Sequence, residues 1–130
     1  MFRLSQKSDY GLILLSNLRQ AQGKPSPISK IAAKHKISSK FLSQIAQELK
    51  KAGILASKEG VSGGYSLAKS ASKIKILDVL KVLDGELVEG KCFEEGHECT
   101  CGAGEMWKEM QQQMEETIGK KTVADLVAHP

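Results

Sequence analysis

Cysteine is scarce in this 130-residue chain, and it is confined to one place. All three thiols lie in KCFEEGHECTC, from Lys91 to Cys101. With none before or after, the bulk of the chain has no disulfide staple and must rest on a hydrophobic core. Long apolar runs are also missing. Nothing approaches the roughly 18 residues that a bilayer span requires, and MFRLSQKSDYG lacks the charged-then-apolar order of a signal peptide. A cytoplasmic protein without membrane contact is therefore expected. Internal repeats and low-complexity stretches are absent, as are a phosphate-binding glycine loop and a metalloprotease helix. One Cys/His combination, with His97, is the sole nucleophile–base candidate, and no Asn or Asp is placed to orient that histidine. An enzyme is not expected.

Acidic residues are scarce in one half only. Residues 1–75 carry 14 Lys and Arg against Asp9, Glu48 and Glu59, a net +11. Residues 76–130 carry 5 Lys against 12 Asp and Glu, a net −7. A basic half of this strength points to a polyanionic partner, most often nucleic acid.

The pattern of apolar residues predicts mostly helix with one small hairpin. SDYGLILLSNLRQ has Leu12, Leu15 and Leu18 at helical spacing, with Ser8 or Asp9 as its expected cap. After AQGKPSP, ISKIAAKHK forms a short helix expected to be capped near Ser26, with Pro27 in its first turn. ISSKFLSQIAQELKKAGI forms a third, capped by Ser38 or Ser39 and stopped by Gly53, with Leu42, Ile45, Ala46 and Leu49 on one face. ILASK and YSLAK flank EGVSGG as a β-hairpin. Ile76, Val79, Leu80 and Leu83 then form a helical stripe ending at Gly85. A longer helix follows the cysteines, with Trp107, Met110, Met114 and Ile118 in line, and TVADLVAHP is expected to form a short terminal helix. The methionine stripe marks a buried face, either core or dimer interface.

Three helices followed by a basic hairpin is the order of a winged helix-turn-helix domain, whose second motif helix enters the major groove. The candidate DNA contacts are Ser38, Ser39, Lys40, Ser43 and Gln44 on that helix. On the wing they are Lys58, Ser62, Gly63, Gly64 and Tyr65. The expected organisation is one compact domain with a DNA-binding region at 1–85, a cysteine sensor loop at 86–104, and a dimerisation and C-terminal region at 105–130.

RLSQKSDYGLILL, ISKIAAKHKISSKFLSQIAQELKKAGIL, GVSGGYSLAK and the cysteine loop before MWKEM occur in that order over almost the whole chain. Together they resemble the IscR/NsrR family of winged-helix transcription regulators, most specifically in G-x-x-G-G-Y-x-L and R-L-S-x-x-x-D-Y. The resemblance implies a homodimer joined through the helix of Trp107, Met110, Met114 and Ile118, reading a palindromic operator in double-stranded DNA. Ser43 stands where some cluster-sensing relatives carry an acidic residue, so operator preference does not transfer.

Several members of that family hold an iron–sulfur cluster (2Fe–2S or 4Fe–4S) on three cysteines of this loop. The resemblance places Cys92 and Cys99 at the first two ligand positions. Cys101 departs from the pattern: the spacing here is C-x6-C-x-C, and Glu105 stands where the third cysteine is expected. Thiolates suit iron, and nearby glycines permit the turns around a cluster. The fourth-ligand candidates are Asp9 from the other subunit, His97 and Glu105. Asp9 also reads as a helix cap, and His97 as an exposed loop imidazole. The same residues leave three other possibilities open: a zinc site, a metal-free cysteine redox switch, or a regulator controlled by a partner protein.

Overall fold

The computed structural model describes residues 5–86, 90–97 and 101–127. Its first helix, α1 (Gln6–Gln20), is capped by Ser5, whose side chain accepts a hydrogen bond from the Ser8 backbone N–H. The expected caps, Ser8 and Asp9, are instead inside the helix. Three oxygen-bearing residues compete within SQKSD, and the one furthest upstream takes the cap. Ser8 is then turned inward and is 3% exposed, while Asp9 stays on the surface.

α2 (Ile28–His35) starts after Pro27, which occupies the cap position without a side-chain bond. Ser26, the expected cap, is engaged elsewhere. α3 (Ser39–Lys51) is capped by Ser38, which accepts from the Phe41 N–H at 3.3 Å, and the chain turns away at Gly53 with φ +80°. Its buried residues are Leu42, Ile45, Ala46 and Leu49, as the periodicity predicts.

Strands β1 (Leu55–Lys58) and β2 (Gly64–Leu67) pair antiparallel, with Leu55 opposite Leu67 and Lys58 opposite Gly64. Ser26 extends this ribbon on its other side, since Ser26 and Tyr65 exchange two backbone hydrogen bonds of 2.9 Å. The loop before α2 is thereby fastened to the wing.

α4 (Ile76–Asp84) buries Ile76, Val79, Leu80 and Leu83 and ends at Gly85, φ +78°. These side chains meet Leu14, Leu15, Leu18, Leu42, Ile45 and Leu49 in a single core. α5 (Gly102–Ile118) begins directly after the last cysteine, with Cys101 at its cap position.

The C-terminal segment forms a 3-10 turn at Val123–Asp125 in place of the expected helix. Its residues are too committed elsewhere to wind further. Val123 is fully buried, its N–H bonds Ile74 O at 2.9 Å, and Ile76 N–H bonds Lys121 O at 3.1 Å. Thr122 and Asp125 close the turn with a reciprocal capping box.

Candidate nucleic-acid interface and cysteine segment

α3 divides its residues by depth. The Leu42, Ile45, Ala46 and Leu49 face is held on α1, α2 and α4, which leaves Ser39, Lys40, Gln44 and Gln47 exposed and Ser43 half-buried. Phe41 stacks edge-to-face on Tyr10 of α1, ring centroids 5.7 Å apart, and so fixes the rotation of α3 beside Lys40. Lys40 has no ion-pair partner among the described residues. A polar, cationic helix face on a rigid apolar support is what major-groove reading requires. Gln47 continues that face one turn beyond Gln44; the same periodicity that exposes Gln44 marks it.

The wing residues divide differently. Lys58 and Ser62 are exposed, and Val61 at the tip is fully so. Gly64 (φ +152°) lies against the Ser26 backbone, where a Cβ would overlap the carbonyl. Tyr65 is half-buried against the core and gives both its backbone groups to Ser26. Gly64 and Tyr65 therefore have a fold role that the sequence reading missed, because their partner lies in a loop some forty positions upstream.

The cysteine segment joins α4 to α5. Cys92 is half-buried in a 3-10 turn (Lys91–Phe93). Lys91 bonds Glu94 at 2.9 Å, and the His97 N–H bonds Glu94 O at 3.1 Å, leaving the imidazole exposed. Cys101 is exposed, and Glu105 lies one turn further along α5, also exposed. Cys99 lies outside the described residues. Asp9 sits on the outer face of α1, at a shallow groove shared with Leu12, Ile13, Asn17 and His35. The donors are chemically suited to iron, yet among the described residues no three of His, Cys, Asp and Glu gather around a common point. Trp107, Met110, Met114 and Ile118 form a half-exposed stripe on α5.

A recognition helix braced by two others and followed by a fastened hairpin defines a winged helix-turn-helix regulator. Residues 4–129 match the Rrf2 family, described as iron-dependent transcriptional regulators, and the chain belongs to that family. It is 32% identical over 130 residues to protein rrf2 of Nitratidesulfovibrio vulgaris, covering 96% of this chain and 87% of that one. The structure is similar to CymR, the global cysteine regulator of B. subtilis, at TM-score 0.80 and 29% identity, covering 97% and 96% of the two chains. It is similar to T. potens IscR at TM-score 0.79 and 27% identity, covering 99% and 94%. The protein is thus a DNA-binding transcriptional regulator and not an enzyme. No helix among the described residues is long and apolar enough to cross a membrane.

Proposed function

We propose that the chain acts in the cytoplasm as a homodimer on a palindromic operator, and that chemistry at its cysteine segment sets operator affinity. The observation carrying this reading is the position of Cys92 and Cys101, in the one connection between the DNA-reading helices and α5. Lys40, Lys58, Ser38, Ser39 and Ser62 engage phosphates, and Ser43 and Gln44 face base edges. Gly63, Gly64 and Tyr65 hold the wing at the height where Lys58 and Ser62 reach the backbone. α5 joins the two subunits through Trp107, Met110, Met114 and Ile118.

The proposed ligand is an iron–sulfur cluster held by Cys92, Cys99 and Cys101, with Asp9 of the partner subunit, His97 or Glu105 as the fourth donor. Bound there, a cluster supplies sensitivity to iron and oxidants. The chain converts its presence into DNA affinity only through a difference in affinity between two arrangements of the reading heads. Anaerobic reconstitution followed by absorption spectroscopy and iron and sulfide analysis is the test. Visible charge-transfer bands that disappear in Cys92→Ala are expected, and colourless wild-type protein would sink the cluster.

A metal-free cysteine switch is the second reading. It is favoured by the likeness to CymR, the global cysteine regulator of B. subtilis. A thiol oxidant that changes DNA affinity in iron-free protein, and loses its effect in Cys92→Ala, would support that reading. A zinc site or control by a partner protein would show instead as metal without colour, or as a captured protein with no response to thiol chemistry.

A further inference from the structure

The first turn of α1 is bonded in two directions. The Ser5 and Ser8 hydroxyls both donate to Asp84 Oδ2. Asp84 is the last residue of α4, and the chain leaves it through Gly85 toward the cysteine segment. Ser8 is the polar side chain most deeply buried among the described residues. A hydroxyl at such a depth is expected to be bonded, and that of Ser8 is satisfied by Asp84, whose own residue remains exposed at the end of α4. One turn on, Gly11 lies so close to Leu83 that a Cβ would overlap the leucine methyl. α1 and α4 are therefore locked together at the point where the chain departs for Cys92.

The same turn also grips the recognition helix. Lys7 Nζ reaches both carboxylate oxygens of Glu48 on α3, at 3.0 and 2.9 Å. Tyr10 packs on Phe41, the neighbour of Lys40. Four residues within Lys7–Gly11 thus hold α4 on one side and α3 on the other.

We propose that the Ser5–Ser8–Asp84 clamp is the link through which the cysteine segment and the recognition helix influence one another. Ser8 and Asp84 are positioning residues: neither needs to touch DNA or the sensed ligand. The inference rests on the reading that thiol chemistry and DNA binding are linked. If Asp84 shifts when the segment beyond it is modified, α1 must follow, and Tyr10 and Lys7 carry the change to α3. Linkage is reciprocal for binding free energies, so DNA binding must also shift the equilibrium of the segment, which is read through the exposure of Cys92.

That reciprocity gives a test on metal-free protein. The probes are iodoacetamide and a DNA duplex obtained by in vitro selection with the wild-type chain, and the readout is the alkylation rate of Cys92 followed by mass spectrometry. With iodoacetamide dilute enough that alkylation is slow against conformational exchange, the rate reports the equilibrium exposure of Cys92. In wild type, DNA is expected to change it by about 5-fold or more, the lower range of ordinary coupling. Ser8→Ala and Asp84→Ala should bring the ratio close to one. Asp84→Asn, which keeps an oxygen acceptor, should retain it. Val79→Ala destabilises α4 without touching the clamp and should also retain it, which separates coupling from stability. Retention of the full ratio in both Ser8→Ala and Asp84→Ala would overturn the clamp while leaving the linkage reading intact, and so would its loss in Val79→Ala. A wild-type ratio of one would overturn the linkage reading itself, and the clamp with it.

Discussion

Gly64 shows how a residue legible as a motif acquires its reason from structure. Gly63 and Gly64 are candidate wing contacts by sequence, and glycine, having no side chain, permits a close approach. In the fold, Gly64 makes its close approach to Ser26, and the φ of +152° is one that L side chains rarely adopt. Gly64→Ala therefore combines backbone strain with an overlap against a carbonyl that is itself paired to Tyr65. A loss of about 2 kcal/mol in urea unfolding is expected, within the usual range for a strained position. DNA affinity should fall further than stability predicts, because Ser26 and the wing separate. Serine offers a similar contrast. Ser5, Ser8 and Asp9 are all cap-forming residue types, and Asp84, 76 positions beyond Ser8, receives both serine hydroxyls. Local chemistry carries no trace of such a partner.

At the scale of elements, legibility follows periodicity. α3 and α4 each repeat apolar residues at i, i+3, i+4 and i+7, and both bury those residues in one core. The hairpin declares itself through its glycines, and its register follows from the short loop. The C-terminal segment is different: Val123 reads as one apolar residue in a helical pattern, while its backbone is already spent on Ile74. Long-range pairing overrides local propensity there, and the result is a 3-10 turn. The exposure of Ser39, Lys40 and Gln44 is legible because the buried stripe of α3 fixes its opposite face. Lys40 and Gln44 on that face separate two kinds of contact. Lys40→Ala should weaken binding to all duplexes alike and lower the slope of log K against log salt by about 0.9, the value for one phosphate. Gln44→Ala should leave that slope unchanged and cost about 1–3 kcal/mol of discrimination at one base position. Equal losses on selected and scrambled duplexes for Gln44→Ala would remove it from base reading.

The whole molecule is divided by charge. Residues 1–75, with α1 to α3 and the wing, carry +11, and residues 76–130, with α4, α5 and the cysteine segment, carry −7. Such a division orients the protein on DNA, drawing the first half in and keeping the second away. It also leaves α5 with its stripe half-exposed within one chain: Met110 and Met114 are neither buried against the core nor fully in water. A stripe of this kind suits a symmetric contact, where the same residues serve both subunits. In the proposed dimer, two α3 helices meet one duplex and the second head gains its local concentration without new contacts. Met110→Glu with Met114→Glu should convert the protein to a monomer in sedimentation equilibrium at micromolar concentration. The wild-type melting temperature should rise with protein concentration, as linkage to assembly demands, whereas that of the double variant should not. Binding of the variant to one half-site should persist, because Lys40, Gln44 and the wing are untouched, while the steep gain from a second half-site disappears. A dimer that survives both glutamates would move the subunit contact off this stripe, and the sensing geometry with it, since the cysteine segment enters α5 at Cys101.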